Sequence, residues 1–289
     1  MLVTFILLTL AVLALWIPSS PKYPALRHAW LMLFLAAIAA GLVTHIVAPL
    51  GIVWLALFAL VLTGTHLESP RWLAPVSIVA LLLLAAALMA HLLPGFNNPR
   101  VISYAQFTPD ALPFRLHFNF DKTAVGLLLL AFLHARIVRL EEWRALLVVA
   151  APAILATVVT LLGLSLAFGY VRFAPKFPSE APYFLWANLC FTCVAEEALF
   201  RGFIQHRLTR RWAKLRHGPW LALGIAAVLF GLAHFAGGPT YILLSTIAGV
   251  GYGWAYLRCG QCIEASILTH FIVNATHFLF FTYPALAPK

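Results

Sequence analysis

Glu196 and Glu197 stand side by side, with Arg201 four residues on, inside the apolar stretch Cys193–Gly202. The chain has only nine acidic residues, so a pair of them among apolar neighbours is out of place. An ionisable group at the centre of a membrane helix costs about 3 kcal/mol or more, so such groups face a bundle interior or a wet cavity. On a helix, Glu197 and Arg201 are one turn apart with the acid first, the favourable order for an ion pair. Glu196 points about 100° away from that pair. One carboxylate is expected to be pinned, the other available for chemistry.

Two further polar groupings lie in apolar segments of the last hundred residues, Phe230-Gly-Leu-Ala-His234 and His270-Phe-Ile-Val-Asn274. Histidine and asparagine can serve as hydrogen-bonding glue between membrane helices. Their combination with a carboxylate has a sharper chemical meaning. A buried carboxylate and an imidazole converging on one water make a hydrolytic site, the carboxylate as general base and the imidazole positioning the water or shuttling its proton. Hydrolysis of an amide also needs donors for the developing oxyanion, which an Asn amide and a His ring N–H supply.

The elements that must position these groups are read from composition. The 289 residues are 63% hydrophobic and 10% charged, with a mean hydropathy of +0.95; soluble domains carry about 25% charged residues. Apolar runs of membrane-crossing length recur throughout, which excludes an ordinary soluble domain and implies an all-α, polytopic membrane helix bundle. The net charge of +10 is read as bases flanking spans at a lipid bilayer, with no nucleic-acid partner. Cys190, Cys193, Cys259 and Cys262 form no secreted disulfide pattern, and the lone Cys259-Gly-Gln-Cys262 is a weak metal or redox signal.

Ten spans are expected: Met1–Ile17, Ala29–Ala48, Gly51–Thr65, Arg71–Leu93, Thr123–Ile137, Ala145–Phe168, Tyr183–Phe203, Trp220–Phe235, Tyr241–Leu257 and Ile263–Phe281. Residues 1–96 are read as accessory membrane helices, 97–122 as an extramembrane or interfacial insertion, and 123–289 as the catalytic core. Within the insertion, the alternation over Phe114–Phe120 predicts a short strand. A second acidic pair, Glu141-Glu142, falls in the charged connector Arg136–Arg144 and reads as solvated surface. Ten spans place twelve bases on one side, from Lys22, Arg27 and Arg71 through the run Gln205–His217 to Arg258. Six fall on the other side, Arg100, Arg115, Lys122, Arg172, Lys176 and Lys289. The richer side is cytoplasmic by the positive-inside rule. These boundaries put Glu196 and His234 at depths differing by about 10 Å, at about 1.5 Å per helical residue.

Glu-Glu-x-x-x-Arg, then Phe-x-x-x-His, then His-x-x-x-Asn, in that order, resembles the CAAX protease and bacteriocin-processing family, which includes type II CAAX prenyl endopeptidases and bacterial intramembrane relatives. Gly249-x-x-x-Gly253 followed by Ile263–His270 is similar to the family's approach to its third motif, and the likeness covers about Tyr183–Phe281. The resemblance implies that Glu196 is the general base, His234 its partner in activating water, His270 and Asn274 the oxyanion hole, and Glu197 with Arg201 a supporting pair. It implies a glutamate protease needing no cofactor, acting as an intramembrane endopeptidase on a membrane-associated protein or peptide in the bacterial inner membrane. A zinc metallopeptidase using Glu196, His234 and His270 is the alternative within the enzyme class, although no His-Glu-x-x-His motif is present. A non-catalytic adaptor or immunity protein of the same fold is the alternative outside it. A proton-coupled transporter would use the same groups as a relay, yet no internal repeat is visible.

Overall fold

In an apolar environment the backbone N–H and C=O groups must be satisfied within each segment, so long Leu-, Val-, Ala- and Phe-rich runs wind into helices. The computed structural model describes residues 1–18, 24–65 and 73–288, so Lys22, Arg71 and Lys289 lie outside the described residues. The helices are α1 (Leu2–Ala14), α2 (Ala29–Val43), α3 (Pro49–Thr63), α4 (Leu73–Met89), α5 (Phe120–Leu133) and α6 (Leu140–Ala167). After them come α7 (Ala181–Ala187), α8 (Val194–Glu197), α9 (His206–Arg211), α10 (Gly218–Leu232), α11 (Gly238–Arg258) and α12 (Ile263–Phe280).

Every expected span contains helix, and the chain is a mostly helical integral membrane protein. Among the described residues three helices are long and apolar enough to cross a bilayer, Leu26–Val43, Leu140–Ala167 and Ile263–Phe280. A fourth crossing arises if Gly218–Leu232 and Phe235–Arg258, bent by 57° at their break, count as one span. Helices α1, α3 and α4 are apolar but shorter. The alternating segment forms the strand β2 (Phe114–His117), which pairs with β1 (Arg100–Ala105) in a two-stranded sheet. That pairing is a small departure from an all-α fold.

The chain divides into two compact units. Met1–Pro99, His117–His134 and Cys190–Ala195 make the first. There α1 packs on α2 and α5, and α3 on α4 and α5. Phe5 meets Phe118 at 5.0 Å and Phe191 at 5.5 Å between ring centroids. Gly126 lets α5 approach the backbone of Ala195, since a Cβ there would lie 2.5 Å from its Cα.

Arg100–Leu116, Ala135–Leu189 and Glu196–Lys289 make the second unit. Here α11 packs on α10, α6 and α12, and α12 also packs on α6. After α12 the chain is laced to earlier segments by main-chain hydrogen bonds: Thr282 N–H to the Arg172 carbonyl (2.8 Å), Leu286 to Tyr170 (3.0 Å) and Leu112 to Ala285 (2.9 Å). Lys176, in the loop after α6, donates to the carbonyls of Phe281 and Ala174, and burial draws its pKa down to about 8.

Candidate active site

The acidic pair lies on a helical run, Ala181–Arg211, that is wound in two ways. Short α-helical turns alternate with π-helical segments at Asn188–Cys193 and Ala198–Gln205, so Glu196 and Glu197 end α8 with π-helix on either side. π-Turns are rare and concentrate at functional sites. The run continues past the expected end at Phe203 to Arg211. Arginine ends an apolar stretch without ending a helix, because its straight side chain keeps rotamer freedom there. The extension removes the expected difference in depth. Arg211 lies fifteen residues after Glu196, and His234 lies sixteen after the start of α10 at Gly218.

Glu197 is fully buried, and its Oε1 is the centre of the pinned half of the site. Arg201 Nη1 donates to it at 2.9 Å and His270 Nδ1 at 2.8 Å. Arg201, also fully buried, gives Nη2 to the Gly249 carbonyl at 2.9 Å. Its guanidinium carbon stands 4.6 Å from the ring centre of Phe230 and 5.2 Å from that of Tyr252. Tyr252 stacks on the His270 ring at 4.5 Å with 15° between planes. Salt bridge, carbonyl and flanking rings together replace the hydration that the buried charges give up.

Glu196 faces a different neighbour. It is 8% exposed, and its Oε2 lies 3.9 Å from Nε2 of His270, beyond direct hydrogen-bonding distance. His234 sits where α10 breaks, and its Nδ1 lies 2.7 Å from the Phe230 carbonyl. A carbonyl only accepts, so Nδ1 carries the proton and a neutral His234 keeps Nε2 as a proton acceptor. Phe230 is the common wall of the site, touching Phe200 (5.1 Å), His234 (4.7 Å) and His270 (5.7 Å) between ring centres. The structure thus joins Glu197, Arg201 and His270 by direct hydrogen bonds, sets Glu196 Oε2 3.9 Å from His270 Nε2 and brings in His234 through Phe230. Asn274 lies one turn beyond His270 on α12, half-buried, and makes no side-chain hydrogen bond among the described residues.

Close helix approach makes this arrangement possible. A Cβ on Gly249 would lie 3.0 Å from Ala227 Cα, and one on Gly253 would lie 2.7 Å from Gln205 Oε1. The two glycines accept from a matched pair one helix over, Arg201 to Gly249 and Gln205 Nε2 to Gly253 (3.1 Å). His206 and the Tyr256 hydroxyl add a third rung at 2.9 Å. The equal four-residue spacing of Arg201/Gln205 and Gly249/Gly253 was a signal in the sequence for this ladder. Gly224 has no such close neighbour, with nothing within 4 Å of where a Cβ would stand. His277, on the His270 face by spacing, instead reaches the Thr282 carbonyl at 3.2 Å.

One other sequence signal resolves away from the site. Cys262 donates its thiol to Glu264 at 2.8 Å, and burial beside that carboxylate pushes its pKa up to about 12, so it is no ready thiolate. Among the described residues no group of three or more His, Cys, Asp or Glu is placed to hold a metal ion.

Comparison with known proteins is specific to this part of the chain. Neither the curated proteins nor the solved structures gave a match. The family described as "Type II CAAX prenyl endopeptidase Rce1-like" does match, over residues 178–276, the segment that holds both glutamates, Arg201, both histidines and Asn274, so the resemblance carried by the three motifs holds there.

Proposed function

We propose that the chain is an intramembrane endopeptidase in which Glu196 activates water to hydrolyse a peptide bond of a membrane-associated protein. The observation that carries the reading is the 3.9 Å gap between Glu196 Oε2 and His270 Nε2. A water making hydrogen bonds of about 2.8 Å to both atoms would subtend an angle of about 90° there, an ordinary geometry for water. Glu196 takes a proton from that water, and the hydroxide formed attacks the scissile carbonyl. His234, with its Nε2 lone pair, accepts from water or relays the proton to the leaving amine. The Asn274 amide, one turn from His270, is a donor for the oxyanion, and a proton on His270 Nε2 would supply a second.

With both carboxylates ionised, Arg201 and a protonated His270 would leave the four-group cluster neutral, as a site in an apolar environment requires. In this reading Glu197 holds Arg201 and His270 in place, and the reaction needs no metal. The family match supports a protease, and the family's name points to substrates with a C-terminal CAAX sequence. The proposed setting is a bacterial inner membrane, crossed up to ten times, with the basic run Gln205–His217 on the cytoplasmic face.

The test is cleavage in proteoliposomes of a quenched fluorescent peptide ending in a farnesylated CAAX sequence, alongside a search for membrane proteins that change size when the gene is deleted. Cleavage by the wild type and by Glu142→Ala, its loss in Glu196→Ala and His234→Ala, and its survival in chelator are expected. Loss on chelation would restore the zinc mechanism. Unchanged substrate sizes, together with a Glu196→Ala variant that still performs the cellular role, would leave a non-catalytic adaptor.

A further inference from the structure

We propose that Tyr241 is a positioning residue of this site, holding the His234 imidazole in register across the break between α10 and α11. The break is an awkward place for a working side chain. α10 ends at Leu232, a single turn runs over Phe235–Gly237, and α11 restarts at Gly238 with φ at 82°. His234 therefore lacks the regular helical neighbours that fix a rotamer from both sides. What it has instead is the Phe230 carbonyl on Nδ1 and two aromatic rings.

Tyr241, in the first turn of α11, meets the imidazole edge-on, with 5.4 Å between ring centres and 81° between planes. The tyrosine is itself held between the Tyr170 ring and the break. Tyr170 stacks on it at 6.2 Å and 10°. Ser245 follows it one turn on along α11. The tyrosine ring occupies the space where a Gly237 side chain would be: a Cβ there would come within 2.7 Å of Tyr241 Cγ and closer still to Cδ1. Gly237 is thus the residue that lets the ring lie across the break. No sequence motif marks Tyr241, and its role is carried by the ring more than by the hydroxyl.

The effect on turnover rests on the reading of His234 as a working imidazole; the effect on the imidazole itself does not. The experiment is therefore ¹⁵N-imidazole NMR of the full chain in nanodiscs, with the His234 signals assigned by their loss in His234→Gln. Wild type and Tyr241→Phe should show one fixed tautomer with the proton on Nδ1. Tyr241→Ala and Gly237→Ala should both show averaged nitrogens, and the double variant should look like either single one, because displacing an absent ring changes nothing.

In the farnesyl-peptide assay, Tyr241→Ala should lower kcat about 10- to 100-fold with KM within about twofold, the cost of a misplaced group, while Tyr241→Phe restores turnover. A fixed tautomer in Tyr241→Ala, or a Gly237→Ala effect that persists in the Tyr241→Ala background, overturns the proposal. An active His234→Gln would instead overturn the reading of His234 as a working imidazole, and the tautomer result would stand apart from it.

Discussion

The chain contains the dipeptide Glu-Glu twice, at 141–142 and at 196–197, and the two copies have opposite fates. Glu142 is part of a capping box at the start of α6, accepting from the backbone N–H groups of Arg139 (3.1 Å) and Val138 (3.2 Å) and from the Arg139 side chain (3.0 Å). Its partner is 72% exposed, and water competes for every bond. Glu197 has a partner of the same type at nearly the same distance, yet both groups are 0% exposed and the guanidinium is boxed in by Phe230 and Tyr252. The difference is one of alternatives. If a bond at Glu142 fails, solvent replaces it; if one at Glu197 fails, a charge is stranded. An ion pair in the first setting trims a helix end, and in the second it holds a site in shape.

The contrast is tested hardest by changing one carboxylate of the buried pair while leaving its shape. Glu196→Gln should abolish turnover, by about a thousandfold or more on the scale of a lost general base, with the melting temperature nearly unchanged. Single-turnover cleavage in proteoliposomes measures the first and thermal unfolding in detergent the second. A Glu196→Gln enzyme with more than about a tenth of wild-type rate would remove Glu196 from the chemistry.

Next in size is the supporting pair. Arg201→Leu leaves Glu197 buried without its guanidinium, and breaking such a pair costs about 3–5 kcal/mol. Unfolding by denaturant in bicelles should show a loss of that order, with activity lost along with the fold. A loss below about 1 kcal/mol would place Arg201 with the exposed pairs despite its burial. The pair also depends on how closely the helices meet. Gly249→Ala pushes a Cβ against the backbone of Ala227, and overpacking of this kind costs about 1–3 kcal/mol. Because the Gly249 carbonyl holds Arg201, activity should fall further than stability alone accounts for.

Much of this was legible in the sequence, for physical reasons that can be named. The helical segments follow from hydropathy, because an apolar segment has few ways other than a helix to satisfy its backbone. The Glu197–Arg201 pairing follows from spacing alone. Strand β1 did not stand out, since Arg100–Ala105 lacks the clean alternation of Phe114–Phe120. The continuation of the Glu-Glu helix to Arg211 is hidden in the sequence because charge marks the end of the apolar part and not the end of the helix. The bond from His270 Nδ1 to Glu197, and the ring of Tyr241 on His234, join residues that no local motif links. Phe230 belonged to a motif, but nothing in the motif says that one ring walls the guanidinium and both histidines.

The smallest effect is expected at the other acidic pair, and it is the control that gives the large ones their meaning. Glu142→Ala removes the capping carboxylate from α6, and two N–H groups at the helix start turn to water instead. Cleavage should stay within about twofold of wild type, the scale of a surface substitution. Any loss of stability should shrink as salt is raised, because screening already weakens the exposed Arg139 pair. Glu141, which forms no part of the cap, should be more tolerant still. If Glu142→Ala instead impaired cleavage as severely as Glu196→Gln, burial would no longer separate the two pairs. The charged start of α6 would then have to be counted among the elements that set the geometry of the site, through the packing of α6 on α11 and α12.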